Sequence, residues 1–200
     1  LLFIGSVSPS GVQSKMLDAI SATCHESKGR FNLTILNTDG WIEGEEAGNY
    51  KLNMVKNAEA DFIVTIYSSN EMDSLLGKIK EQGWCVLQLK SSFSIRKRNR
   101  EERRKLRWQA YQRYMRNSSL RVVSLNSVRI SGLDSYQKGV LAGLYEAPKK
   151  FSGLGVIDEL HLEKGLLKIF TPVRQPFNEI EIGQTVVDID IKMKNTSKVY

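Results

Sequence analysis

The residues best equipped for chemistry fall in two short stretches. The first is "NTDGW", Asn37 to Trp41, which puts a hydroxyl, a carboxylate, a glycine and an indole into one turn. Thr38 and Asp39 bring hydrogen-bonding groups, and Gly40 lets the backbone approach a ligand closely. Trp41 offers a flat face that stacks on a nucleobase or sugar, worth roughly 1–3 kcal/mol per base. The competing reading is a plain Asp-Gly turn with Trp41 covering a sheet edge. The second stretch runs from Arg96 to Arg116, "RKRNREERRKLRWQAYQRYMR", with ten Lys or Arg against two acids. The whole chain carries +7, so the residues outside this stretch sum to −1. That is a polyanion-facing element on a nearly neutral body.

Within the basic stretch, Arg96, Arg100 and Arg104 recur every four residues and line one face of a helix. Arginine's planar fork matches phosphate oxygens two at a time. Leu106, Trp108, Tyr111 and Met115 form an apolar stripe that packs the later half down. The alternative is a solvated helix paired internally to Glu101 and Glu102, but two acids leave most of the arginines unmatched.

Other chemistries find no support. There is no GxxxxGK[ST], no GxGxxG and no HExxH, and "GLYEAPKKF" near Gly143 has lysines without phosphate-loop spacing. Two lone cysteines, Cys24 and Cys85, and two histidines, His25 and His161, make a zinc site unexpected and fit a reducing cytosol. "SPSG" at Ser8 follows a strand and precedes a helix, so it is either a weak anion-holding turn or an ordinary capped one. No run of apolar residues is long enough to span a membrane. "LLFIG" is too short and lacks the basic leader of a signal peptide. Opening inside a strand, the chain reads as the C-terminal part of a longer protein.

The elements that must position these residues follow from periodicity. Apolar strands are expected at 1–7, 30–37, 61–67, 84–90 and 120–127. Helices are expected between them, the first ending at Gly29, the second turning Leu52 and Val55 inward, the third ending at Gly83. This alternation predicts an α/β fold over 1–126, a partial doubly wound parallel sheet covered on both faces. The "NTDGW" turn then sits at the carboxyl end of a strand, where such sheets collect ligands. Residues 127–200 read as short strands separated by Gly, Pro, Asn and Lys, a small antiparallel β domain.

A strand ending in "NTDGW" and followed by "EGEEAGNYKL" resembles the P-loop polynucleotide 5′-hydroxyl kinases of RNA processing. These include the tRNA-splicing and pre-mRNA cleavage-factor kinase, the ribosomal-RNA-processing kinase and their archaeal relatives. "LLFIGSVSPSG" is similar to that family's strand and G-x-x-S-P turn, and the basic stretch resembles its arginine-rich lid, in the archaeal style. "GVLAGLYE", "GLGVIDELHLEKGLLKIFTPV" and "IEIGQ" resemble its C-terminal β domain. The resemblance implies that Thr38, Asp39, Gly40 and Trp41 are the T-x-G-W clasp that grips the substrate beside its 5′ end. It also implies that R-x-x-x-R arginines of the lid contact ATP phosphates. Arg96/Arg100, Arg100/Arg104 and Arg103/Arg107 all match that spacing. Arg100, shared by two registers, is the first choice as catalytic residue, with Arg104 and Arg96. Arg98, Arg103 and Arg107 are left to the nucleic-acid backbone. The implied donor is ATP with Mg²⁺, bound mainly by Walker regions ahead of residue 1, and this chain is expected to contribute no metal ligand. Without a Walker A loop, the chain alone is expected to be inactive. The implied partners are RNA or DNA 5′ ends and proteins docking on the β domain, in the cytoplasm or, in a eukaryote, the nucleus.

Overall fold

The computed structural model describes residues 1–67, 70–92, 98–147 and 150–187. They divide into two compact units, Ser8–Lys97 and Leu1–Val7 with Arg98–Tyr200. Together they form an α/β protein, with a small parallel sheet and helices in one unit and a mostly antiparallel six-stranded sheet in the other.

In the unit Ser8–Lys97, α1 (Gln13–Ser27) and α2 (Glu45–Ala58) pack through Ile20, Tyr50 and Met54, with Met16, Leu17, Cys24 and Trp41 around them. α1 stops where Lys28 turns extended and Gly29 takes φ +75°, a left-handed angle that glycine adopts without cost. The buried face of α2 is Ala47, Tyr50, Lys51 and Met54, spaced i, i+3, i+4, i+7, together with Gly48. Leu52 and Val55, expected to point inward, are only half-buried. A lysine therefore occupies the core stripe, because it has charged and polar partners there. β1 (Ile63–Tyr67) and β2 (Val86–Lys90) run parallel in the register Ile63↔Val86 to Tyr67↔Lys90, joined through α3 (Asp73–Glu81). α3 buries Leu75, Leu76 and Ile79.

Two expectations fail here. Residues 30–37 form no strand, and Phe31, Leu33 and Ile35 are exposed, Ile35 by 82%. A strand exists only through a ladder, and none of the described strands pairs with this segment. Nor do the described residues cover the sheet on both faces. Val64 and Ile66 stand in register with Leu87 and Leu89, and all four are exposed.

In the other unit, α4 (Arg100–Met115) leads into β3 (Ser119–Ser124). There follow β4 (Arg129–Ser131), β5 (Val140–Ala147), β6 (Lys150–His161), β7 (Leu166–Thr171) and β8 (Glu179–Val186). Their order in the sheet is β3-β7-β6-β5-β8-β4, antiparallel except for the parallel pair β4–β8. β3 thus pairs with β7 instead of extending a parallel sheet. One face of the sheet closes over Val140, Ala142, Leu144, Ile157, Leu167 and Ile169. On a second cluster, Phe3 packs with Met115, Leu141, Tyr145, Val156 and Val187.

Residues 1–7 were expected to be a strand and are not one. The carbonyl of Gly5 is one point at which the segment is pinned. Gly5 O accepts the N–H groups of Gln184 (2.7 Å) and Thr185 (3.2 Å), and Gly5 itself has φ +83°. Phe3 lies where a Cβ on Gly143 would stand 2.8 Å from its ring. Close approach at a glycine replaces ladder pairing.

Candidate functional site

The turn 38–41 is built from inside α2. Asp39 Oδ1 accepts the backbone N–H of Trp41 at 3.0 Å, an Asx-type turn that fixes the indole's starting direction. Asp39 Oδ2 accepts the Tyr50 hydroxyl at 3.2 Å. Lys51 Nζ donates to Asp39 Oδ1 (3.0 Å), to Asp39 O (2.6 Å) and to Thr38 Oγ1 (3.2 Å). An ammonium has three donors, and these three acceptors use them all. The lysine side chain is only 8% exposed and Asp39 25%, so the pair is largely withdrawn from water.

Trp41 is half-buried, with its ring centroid 5.6 Å from that of Tyr50 at an interplanar angle of 34°. One side of the indole is held by the core of this unit, and part of it remains accessible. Thr38 and Gly40 are exposed, and no atom lies within 4 Å of a Cβ built on Gly40. The Tyr50 phenol is pushed far above its usual pKa by burial first, then by the charge of Asp39 and by donating to it. It therefore stays a neutral donor, and it does not titrate near neutral pH.

The signal for Tyr50 and Lys51 was present in the sequence but went unused. Lys51 lies four residues after Ala47 and three before Met54, on the apolar stripe of α2. A lysine in such a stripe requires a buried acceptor. The expectation that the turn closes a strand fails, since 30–37 is not a strand, and α2 is what orients it instead.

The arginines belong to the other unit. α4 is started by a capping box: Asn99 Oδ1 accepts the Glu102 N–H at 2.8 Å, and Glu102 Oε2 accepts the Asn99 N–H at 3.1 Å. The helix begins at Arg100, and Arg96 lies outside the described residues. Arg98, Arg100, Arg103, Arg104 and Arg107 are all exposed. None of them forms an ion pair among the described residues. The packed stripe is shorter than expected. Met115 is buried and Tyr111 half-buried, but Leu106 and Trp108 are 45% and 42% exposed. Tyr114 anchors the same end by accepting the Leu154 N–H at 2.9 Å. Arg100, Arg104 and Arg107 share the helix face of Tyr111 and Met115, by spacing, and lie on the uncovered part of it.

A cleft of about 370 Å³ beside Tyr111 and Tyr114 is lined mainly by apolar groups such as Phe3, Leu141 and Leu154, with no lysine or arginine among the described residues that line it. The "SPSG" turn is closed by Val12 N–H to Pro9 O at 3.0 Å, with no side-chain cap on the helix behind it. Among the described residues no helix is long and apolar enough to cross a membrane.

Residues 1–117 match the family model for the P-loop of the mRNA cleavage and polyadenylation factor CLP1. The chain belongs to this family. The CLP1 P-loop match takes in the turn 38–41 and all of α4. The chain is 28% identical over 137 residues to the polyribonucleotide 5′-hydroxyl-kinase of Methanocaldococcus jannaschii, an alignment covering 68% of this chain and 37% of the relative. It is 23% identical to that of Pyrococcus horikoshii and 25% to that of Pyrococcus furiosus, again over 68% of this chain and 36% and 37% of theirs. The chain thus spans little more than a third of these relatives. Two solved Clp1p structures, both concerning its complex with Pcf11p, share the fold. One has a TM-score of 0.60 at 10% identity, covering 86% of this chain and 51% of that one. The other has 0.54 at 9%, covering 88% and 51%.

Proposed function

We propose that this chain supplies the substrate clasp and the phosphate-binding lid of a polynucleotide 5′-hydroxyl kinase. ATP would donate its γ-phosphoryl group to the 5′-hydroxyl of an RNA or DNA end. The observation that carries the reading is the turn 38–41. An indole with an accessible face stands on a turn whose carboxylate is held by Tyr50 and Lys51. Such a platform is pre-formed and costs little ordering on binding.

In this reading Trp41 stacks on the terminal nucleotide, and Thr38 hydrogen-bonds its phosphate or sugar. Gly40 leaves room for the backbone to come near. Arg100, with Arg104 or Arg96, neutralises charge on the phosphoryl group as its bond to ADP breaks and the bond to the 5′-oxygen forms. Arg98, Arg103 and Arg107 lie along the nucleic-acid backbone. The exposed arginines sit at the N-terminal end of α4, where the helix dipole is itself positive, so an anion relieves their mutual repulsion. Among the described residues no group of three or more His, Cys, Asp or Glu is arranged to hold a metal.

The test is Arg100→Ala in the full-length protein. Turnover is expected to fall on the order of 10³-fold, as for an arginine that stabilises phosphoryl-transfer charge, while RNA affinity changes far less. Equal losses in both remove the lid assignment. A second reading is a non-catalytic RNA-binding or scaffolding subunit. It is supported by the Pcf11p complexes of the structural relatives. Transfer of labelled γ-phosphate to a 5′-hydroxyl oligoribonucleotide by the full-length protein separates the two.

A further inference from the structure

We propose that Lys51 is the positioning residue of the clasp, a role that rests on the clasp reading of Thr38–Trp41. Its ammonium joins the two residues that precede Gly40. It takes Thr38 Oγ1 at 3.2 Å, Asp39 O at 2.6 Å and Asp39 Oδ1 at 3.0 Å, so side chain and backbone of the turn are fixed by one group. Asp39 Oδ1 is also the acceptor of the Trp41 N–H. The path from helix to indole is therefore Lys51, Asp39, Trp41, without a flexible step.

The same contacts set the polarity of Thr38. One of its oxygen lone pairs is occupied by the lysine. Its own proton has only Asp39 O at 3.4 Å, a long contact to an acceptor that Lys51 already holds more closely. An exposed hydroxyl in this state is a donor in search of an acceptor. A phosphate or ribose oxygen fits that proton. Lys51 itself does not reach the ligand, since it is buried and its three donors are committed. It acts through Thr38 and Trp41.

The experiment uses a short 5′-hydroxyl oligoribonucleotide as probe and compares Lys51→Met, Lys51→Met with Asp39→Asn, and Trp41→Ala. The double variant leaves no unpaired charge, so it keeps the comparison readable if Lys51→Met alone fails to fold. Binding is measured well below each thermal midpoint. Emission of Trp41 is followed in a background of Trp84→Phe and Trp108→Phe. Both lysine variants are expected to bind RNA about tenfold or more weakly, within the range of one lost stack. They are also expected to shift the Trp41 emission to the red. Adding Trp41→Ala to Lys51→Met is expected to cost little more, because both remove the same contact. If the folded lysine variants bind like wild type with unmoved emission while Trp41→Ala loses affinity, Lys51 is only a stability residue and the inference is overturned. If Trp41→Ala itself binds like wild type, the clasp reading fails, and the inference with it.

Discussion

Asp39 has three donors to satisfy, namely the Trp41 N–H, the Tyr50 hydroxyl and the Lys51 ammonium. Ionised, it has acceptor sites for all of them and nothing to donate. The tyrosine's share of this arrangement has a pH consequence. Burial and the Asp39 charge raise its pKa well above the ordinary value of about 10. A raised pKa means that the folded state keeps a proton which the unfolded chain releases. This contribution to stability is complete below the ordinary value and is lost as pH rises above it toward the folded pKa. Tyr50→Phe should therefore cost about 1 kcal/mol at neutral pH, the net value of one hydrogen bond. It should also flatten the decline of the thermal midpoint from about pH 10 upward. A wild-type and a mutant midpoint that fall in parallel through that range would show that the phenol is not the group responsible.

At the scale of elements, α4 is stabilised from both ends by different means. Its start depends on the Asn99–Glu102 capping box, and its end on Met115, Tyr111 and the Tyr114 hydroxyl. The arginines occupy the turns nearest the cap. In the full-length protein, Asn99→Ala should remove about 1 kcal/mol and fray the turn carrying Arg100 and Arg103, with turnover falling more than the thermal midpoint suggests. Asn99→Asp, which can still accept the Glu102 N–H, should restore both. Loss of helix ellipticity with unchanged turnover would separate the cap from the lid. The packed end follows a different logic. Residues 1–7 contribute Phe3 to the same cluster as Met115, and that ring fits because position 143 has no Cβ. Sequence patterning sees "LLFIG" as a strand since its first four residues are large and apolar. The choice between a ladder strand and a pinned segment depends on which neighbours present free donors, here Gln184 and Thr185.

Over the whole molecule, charge and apolar surface are unevenly distributed. The stretch from Arg96 to Arg116 carries the basic excess, and the rest of the chain is close to neutral. Binding of single-stranded RNA should therefore weaken with salt, with log K falling by roughly 0.7 per phosphate neutralised for each decade of salt. Arg103→Ala and Arg107→Ala should each reduce that slope by about the same amount. Trp41→Ala should lower affinity at every salt concentration without changing the slope. A slope indifferent to the arginines would assign the RNA backbone to other residues. The apolar surface tells a separate story. The exposed band of Val64, Ile66, Leu87 and Leu89 shows that strand composition reports what a residue tolerates on burial, while the cover itself must come from another element.

The amino-acid sequence by itself determined what short-range physics controls. The helices with their apolar faces, the glycine ends at Gly29 and Gly83, the parallel strands 63–67 and 86–90, the basic helix and the T-x-G-W turn are all local patterns of period, cap and composition. Tertiary structure alone decided the rest. It left 30–37 out of any described ladder, paired β3 with β7, and placed Lys51 in the core stripe of α2 against Asp39, twelve residues earlier. Each of these depends on partners distant in the chain, whose free donors, acceptors and surfaces no local window contains. A lysine on an apolar stripe looks like an error until the carboxylate it faces is known.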